Sequence, residues 1–549
     1  MQVDYTELAE LLFPQIKKTI ADYDLIYPLR QLPQQAEVVR FAPSPTGRIH
    51  LGNLFASFIP EVFARQSKGI FILRIEDTDD KRAIENGTEL ILSDLASYDY
   101  QINEDPLQGG IYGPYIQSQR KDIYGAFAKH LVATGRAYPC FCQEEELEML
   151  RSNQEANKER IGYYGSFARC RNLGFTEIKE LLARGERYVI RLKSLGDFNE
   201  KLTFTDCIKG VMELNKNDID HVLLKSDGMP TYNFAHIVDD YLMRITVITR
   251  DDAYISSVPF HLEIWEALGL QPPRFAHILP ISVKEKEVTR KLSKRKDPEA
   301  AISYYHEKGV PKEAIKLYFA ILLNSNFEEW HLLNPTKDYH EFEFSFTKMS
   351  KSPPLFDKEK LENISRNFLA SISALDLYER LLKWTEEFDQ EFYELLIKYR
   401  QKSIDILNIE RQQVKPRKDF SCYSEIKANV CYMYDELFPL SELGKAAVKE
   451  FYKREILEDY LNNVYDENDD SESWFTKIKY LCPKYNFASN VKEYKADPAA
   501  YVGSIGDFCE LLRVAVTGRT VTPDLYQILQ ILGRERLKER FTAFSKYLK

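Results

Sequence analysis

The feature that most constrains this chain is a proline- and glycine-rich turn set between a short strand and a helix. Val38-Val39-Arg40-Phe41-Ala42 reads as a strand. It runs into Pro43-Ser44-Pro45-Thr46-Gly47-Arg48-Ile49-His50-Leu51-Gly52-Asn53, and Leu54 to Arg65 reads as a helix. A Lys68-Gly69 turn then opens a second strand, Ile70 to Ile75. Strand, loop, helix and strand at this spacing open a parallel α/β sheet. Strand signals return at Val222-Leu223-Leu224 and Ile245-Thr246-Val247-Ile248, with Tyr188 to Leu192 between. The intervening stretch is helical, charged and cysteine-bearing, so the sheet is expected to carry an α+β insertion. From about residue 300 onward nearly everything has helical periodicity, and the acidic stretch Asp466 to Ser473 reads as a loop. Before the first strand, Leu8, Leu11, Leu12, Ile16 and Ile20 recur at helical spacing until Pro28 and Pro33 break the pattern.

With 549 residues, 44% of them apolar, the chain can bury several cores and is not mainly disordered. No apolar run approaches the roughly 18 residues that span a bilayer. The opening Met1-Gln2-Val3-Asp4-Tyr5 lacks the layout of a signal peptide. Eight cysteines in so long a chain do not make a disulfide framework, so the reducing cytoplasm is the expected location. Lys and Arg total 74 against 84 acidic residues, a net charge of −10. That excludes indiscriminate coating of polyanions but leaves local basic patches free to bind nucleic acid.

Two segments carry chemistry. A helix N-terminus presents unpaired N–H groups and partial positive charge, where a phosphate can sit. In the first segment Gly47 and Gly52 allow close backbone approach, and His50 is placed to donate to a phosphate oxygen. The second is Lys291-Leu292-Ser293-Lys294-Arg295, inside the basic run Arg290 to Lys296. Mobile ammonium groups there suit a leaving pyrophosphate. Taken singly, the first is a common βα loop and the second a solvated charged face.

Taken together they resemble the HIGH and KMSKS signatures of class I aminoacyl-tRNA synthetases. Arg40 to Gly47, Arg74-Ile75-Glu76-Asp77-Thr78-Asp79 and Leu224 to Tyr232 narrow the resemblance to the bacterial glutamyl-tRNA synthetase family. Thr517 to Pro523 and Leu532-Gly533-Arg534-Glu535 extend it to the far end. The resemblance implies an α/β Rossmann-type catalytic domain with an α+β insertion, followed by an all-α anticodon-binding region. It places a helical extension at 1–36, Rossmann halves at 37–119 and 225–298, and an acceptor-stem insertion at 120–224. A stem-contact domain at 299–370 and an anticodon-binding domain at 371–549 complete the chain. Lys348-Met349-Ser350-Lys351-Ser352 spells KMSKS letter for letter, but it lies in the helical region. The looser match at Lys291–Arg295 follows the returning strands and is taken as the functional loop.

The implied activity is glutamate–tRNA ligation. Glutamate and Mg²⁺·ATP form glutamyl-adenylate in a tRNA-dependent step, and the glutamyl group passes to tRNA(Glu). The resemblance assigns catalysis to His50, Lys291 and Lys294. It assigns ATP to Pro43, Ser44, Gly47, His50, Gly52, Asn53, Ser293 and Lys294. Glutamate falls to Arg40, Ser44, Glu76, Tyr232, His236 and Arg250, a guanidinium being suited to bidentate carboxylate recognition. His236 departs toward the glutaminyl relatives, whereas Arg250 speaks for glutamate. Arg417, in Val414-Lys415-Pro416-Arg417-Lys418, matches an anticodon-reading arginine. Cys140, Cys142 and Cys170 resemble a zinc-binding insertion in which Asn172 stands where the last ligand would be, leaving Tyr164 as a substitute; structural thiols without metal are the alternative. A monomer without membrane contact is expected. An enzyme that also charges tRNA(Gln), or an inactive tRNA-binding paralogue, is the competing reading.

Overall fold

The computed structural model describes residues 4–79, 84–445 and 448–548; Met1, Gln2, Val3 and the last residue of the chain lie outside them. Two compact units result, Met1–Ile302 with Lys316–Phe356, and Ser303–Ile315 with Asp357–Lys549. Among the described residues no helix is long and apolar enough to cross a membrane.

The first unit opens with two short helices rather than one amphipathic helix, because Pro14 interrupts the pattern. Helix α1 (Tyr5–Leu12) is capped by Asp4, and α2 (Ile20–Ile26) begins with a Thr19/Asp22 capping box. Leu8, Leu12 and Ile16 are buried while Leu11 is exposed, so only part of the expected stripe faces inward. Strand β1 (Val38–Phe41) and strand β2 (Ile70–Leu73) pair in parallel, Val38 opposite Ile70, with α3 (Leu51–Ser67) as the crossover. All four residues of β1 are buried, as expected of a strand covered on both faces. Lys68 ends α3 in the left-handed region, and a Cβ on Gly69 would fall 1.9 Å from the Glu37 carbonyl oxygen. Only glycine fits that return.

Helix α4 (Gly87–Ser97) and helix α5 (Lys121–Ala133) follow. Ile16 packs so closely on α5 that a Cβ at Gly125 would lie 2.9 Å from its Cδ1. The preamble is therefore part of this unit's core, a role its sequence alone does not reveal. Strand β3 (Ala137–Cys140), α6 (Glu144–Ala156), α7 (Phe175–Ala183) and β4 (Val189–Leu192) lead to the hairpin of β5 (Lys201–Asp206) and β6 (Gly210–Asn215). Strand β7 (Val222–Leu224), read above as a return of the α/β sheet, instead completes an antiparallel sheet β3-β4-β7.

After α8 (Tyr232–Leu242) come β8 (Val247–Asp251), α9 (Val258–Ala267) and β9 (Arg274–Ile278). Parallel β8 and β9 continue through β5 to β6, so the β5–β6 hairpin extends this sheet. Just before β8, the Thr246 N–H donates to the Val38 carbonyl at 2.8 Å and ties this sheet to β1. The hairpin of β10 (Ser282–Glu285) and β11 (Val288–Lys291) then delivers the basic loop.

The second unit is helical, as its periodicity predicts, apart from a two-residue parallel pair, Phe487–Ala488 with Gly503–Ser504. Leu377, Leu381, Phe392, Tyr460, Phe508, Leu511 and Phe544 are among the side chains of its core. The expected loop at Asp466–Ser473 ends early, because the Asp470 carboxylate accepts from Ser473 N–H and starts the helix Ser471–Leu481.

Candidate active site

A cleft of about 910 Å³ opens where β1, β8 and β9 end, lined by Arg40, Ser44, His50, Glu76, Tyr232, Arg250 and Lys291, with Pro43, Gly52, Asn53 and Tyr254 among its other walls. The carboxyl ends of parallel strands are the usual location for a ligand in such a sheet.

His50 is the N-cap of α3, and its Nδ1 accepts the Asn53 N–H at 2.9 Å. Burial, then the charges of Lys294 and Lys291, bring its pKa down to about 4. The ring is neutral near pH 7, and with Nδ1 accepting, its proton sits on Nε2. A Cβ on Gly52 would come 3.0 Å from His50 Cε1, so glycine lets the ring lie over the helix start. Gly47 has φ 130°, where a side chain is strained. The loop is clamped from α4: Asp94 accepts from Arg48 Nη1 at 2.6 Å and from Ile49 N–H at 3.0 Å.

The two motif segments meet. Lys294 Nζ donates to the Arg48 carbonyl, Lys291 Nζ reaches Asp251 Oδ2 at 2.6 Å, and His50 makes a β-bridge with Ala301. Gly47, Ser293 and Lys294 are not among the cleft-lining residues. Ser293 N–H donates to Asp297 Oδ2 at 2.9 Å and shapes the loop, while Lys294 reaches the His50 loop through Arg48. The literal KMSKS segment lines no part of the cleft; the Ser350 hydroxyl and the Ser352 carbonyl bond each other, and Met349 is buried. Residues just beyond it brace β10 through the Pro354 carbonyl and the Phe356 N–H.

The two cleft arginines differ sharply. Arg40 is held by Asp240 through Nε at 3.0 Å and Nη2 at 3.2 Å, and its Nη1 donates to the Thr249 carbonyl at 2.9 Å. Asp240 also takes Arg74 Nη1 at 2.8 Å. Burial opposes ionisation of Asp240, but Arg40 and Arg74 outweigh it and hold the carboxyl well below its ordinary range. Arg250 has neutral partners only: Nε donates to His277 Nε2 at 3.0 Å, and Nη1 pairs with His261 Nδ1 at 3.1 Å. Its Nη2 is buried without a hydrogen-bond partner, and burial lowers its pKa to about 10. Among the described residues no carboxylate lies within ion-pair distance of it.

Glu76 accepts from Arg74 Nη2 at 3.2 Å, yet burial dominates and raises its pKa to about 7. His236 lies behind the cleft rather than in its wall: it is fully buried, with Nδ1 3.3 Å from Asp240 Oδ2 and Nε2 3.3 Å from His261 Nε2. Its expected place among glutamate contacts is corrected accordingly, with Tyr232 in front of it at the wall. Sequence reasoning missed Arg74, Asp240, His261 and His277. A signal was present, since Asp239-Asp240 inside the apolar helix α8 and histidines inside α9 and β9 need buried partners.

Cys140, Cys142 and Cys170 bring their sulfurs within 4.8 Å of one another. Tyr164 is not their companion, because its hydroxyl donates to the Arg160 carbonyl at 2.7 Å. The neighbouring Tyr163 hydroxyl is, at 3.2 Å from Cys142 Sγ and 3.5 Å from Cys140 Sγ. Hydrogen bonds from Cys142 and Cys170 favour the thiolate at Cys140. In the second unit Arg417 faces a pocket with Trp474, Phe475 and Tyr526; it is paired with Asp419 at 2.5 Å and Glu410 at 3.5 Å.

The family described as tRNA synthetases class I (E and Q), catalytic domain, matches residues 37–363, and an anticodon binding domain matches 501–544. The glutamate–tRNA ligase of Acetivibrio thermocellus is 45% identical over 98% of this chain and 99% of its own length. That of Clostridium beijerinckii is 43% identical over 99% and 100%. A crystal structure of a glutamate tRNA ligase from Elizabethkingia meningosepticum in complex with its amino acid superposes with a TM-score of 0.75 at 28% identity, covering 94% of this chain and all of that one.

Proposed function

The chain belongs to the glutamate–tRNA ligases, a family of class I tRNA synthetases, and from that premise we propose how its cleft divides the work. The α-carboxylate of glutamate attacks the α-phosphate of ATP, giving glutamyl-adenylate and pyrophosphate. A ribose hydroxyl at the 3′ end of tRNA(Glu) then attacks the activated carbonyl and releases AMP. Neither step needs a protein nucleophile; orientation and charge do the work.

His50 Nε2–H donates to a phosphate oxygen as negative charge builds, beside the α3 N-terminus. Lys291 and Lys294, whose charges already act on His50, engage the leaving pyrophosphate. Pro43, Ser44, Gly52 and Asn53 shape the nucleotide's bed, with Gly47 and Ser293 setting the backbone of the two loops. Mg²⁺ offsets phosphate charge as part of the nucleotide complex.

Arg250 receives the side-chain carboxylate of glutamate, Glu76 its ammonium, and Ser44 and Tyr232 complete the pocket. Arg40, already charge-paired with Asp240, positions the substrate more than it supplies net charge. One observation carries this reading: a guanidinium in the cleft wall, with a buried unpartnered Nη2 and no carboxylate partner among the described residues, is a site for an anion. ATP–pyrophosphate exchange with tRNA present tests it. Exchange should depend on glutamate and fail with glutamine, whereas equal exchange with the two amino acids would contradict it.

Because burial raises Glu76 to about 7, an ammonium ligand must displace a proton from it at lower pH. The KM for glutamate should therefore rise as pH falls below about 7, by up to about tenfold per unit. Glu76→Gln should flatten that dependence. A flat profile in the unsubstituted enzyme would contradict the assignment.

We also assign the 120–224 insertion to the acceptor stem, 299–370 to the stem below it, and 371–549 with Arg417 to the anticodon. The enzyme works as a cytoplasmic monomer. The packed triad with Tyr163 fits a tetrahedral Zn²⁺ site of three thiolates and a phenol oxygen, which would pin the loops of the insertion. Elemental analysis should find about one zinc per chain, and Cys170→Ser should lose it with a lower Tm. A metal-free protein of unchanged Tm would leave the thiols purely structural.

A further inference from the structure

We infer that His261 and His277 are positioning residues that keep the Arg250 guanidinium oriented but unneutralised, and thereby make the pocket selective for a carboxylate over an amide. The inference rests on the reading of Arg250 as the partner of glutamate's side chain.

A guanidinium only donates, so each imidazole facing it must offer a lone pair. His277 Nε2 accepts from Arg250 Nε, which puts the proton of His277 on Nδ1, 2.7 Å from Asp206 Oδ2. Asp206 is itself fixed, accepting from the Ile208, Lys209 and His277 backbone N–H groups at 2.9 to 3.0 Å. His261 Nδ1 accepts from Arg250 Nη1, which leaves the His261 proton on Nε2, 2.8 Å from Asn233 Oδ1 and 3.3 Å from His236 Nε2. His236 in turn donates from Nδ1 toward Asp240, which holds Arg40. Arg250 is thus held between two neutral imidazoles, His277 anchored on Asp206 and His261 linked through His236 to Asp240. Burial holds His261 and His277 below the ordinary histidine range, which agrees with neutral rings.

The contrast with Arg40 shows what this arrangement does. A carboxylate at Arg40 fixes the guanidinium and cancels its charge. Imidazoles at Arg250 fix it equally well and cancel nothing, so the guanidinium in the cleft wall keeps its charge, with Nη2 unpartnered. A glutamate carboxylate supplies the missing anion, whereas a glutamine amide leaves the buried cation uncompensated.

Isosteric pairs that differ only in charge test this. His261→Asn and His261→Asp both offer an oxygen near Nδ1, and His277→Gln and His277→Glu both offer one near Nε2. The charged member neutralises Arg250 and should raise the KM for glutamate at least about thirtyfold over its neutral twin, with the same ATP KM. It should also narrow the preference for glutamate over glutamine. Equal glutamate KM within both pairs would overturn the proposal, since damage to packing strikes the twins alike. Should the charged members fail to fold, the neutral ones decide. His261→Asn must then discriminate glutamate from glutamine better than His261→Leu, which has no acceptor, and equal discrimination would overturn it. Arg250→Gln separates the two levels of the argument. If it leaves glutamate kinetics unchanged, the reading of the pocket fails; if it raises KM while the twins stay level, only the positioning role falls.

Discussion

Arg250→Gln is expected to raise the KM for glutamate by a factor on the order of thirty to several thousand, with the ATP KM nearly unchanged. The range follows from the cost of deleting one partner of a desolvated charge pair, about 2–5 kcal/mol. The arginine's own surroundings explain why the effect falls on one substrate. Its two occupied nitrogens donate to His277 and His261, neither of which is charged, and its third is buried without a partner. Glutamine ends where the arginine's Nε stands, so it can keep the bond to His277 but not the one to His261, and the charge is lost. Arg40→Gln should behave differently, because it breaks a buried two-bond ion pair and leaves Asp240 to Arg74 and His236 alone, and so costs stability as well as binding. Steady-state kinetics with glutamate and ATP varied separately, together with thermal unfolding of both variants, would check the contrast.

Lys294→Ala should slow adenylate formation by about 10²- to 10³-fold, the usual loss when a group stabilising developing charge is removed. Its affinity for tRNA should stay within about threefold of the original, because one phosphate-directed ammonium is a small share of a polyelectrolyte contact. Lys294 reaches the carbonyl of Arg48, two residues before His50, so its charge is delivered beside that ring. Lys351→Ala, in the letter-perfect KMSKS segment, should leave the rate unchanged, because that segment lines no part of the cleft. A single-turnover measurement in which Lys351 mattered and Lys294 did not would reverse the assignment of the two loops.

Much of this architecture is legible in the sequence because local signals and tertiary structure agree. The β1–α3–β2 unit is written in its strand runs, its turn and the Lys68-Gly69 return. His50 falls at a helix N-cap because Pro43 to Gly47 exclude helix before it. The helical second unit follows from its periodicity alone. What was not legible depends on partners distant along the chain. The β5–β6 hairpin joins the catalytic sheet through Asp206 opposite Phe275, a contact no local pattern announces. Tyr163 and Tyr164 are adjacent and chemically alike, so only the backbone decides which hydroxyl meets the cysteines. The histidines behind Arg250 come from α8, α9 and β9, and their neutral state arises from burial that folding alone creates. His236 was placed in the pocket by motif position, yet it belongs to this inner layer.

The central claim is that one cleft holds glutamate at Arg250 and the reacting phosphate at His50. Determining the structure of the enzyme with a sulfamoyl analogue of glutamyl-adenylate tests it most directly. The analogue's side-chain carboxylate is expected on Arg250 Nη2 and its sulfamoyl oxygen within hydrogen-bond reach of His50 Nε2. An analogue bound with Arg250 Nη2 still unpartnered, or seated away from the α3 N-terminus, would contradict it.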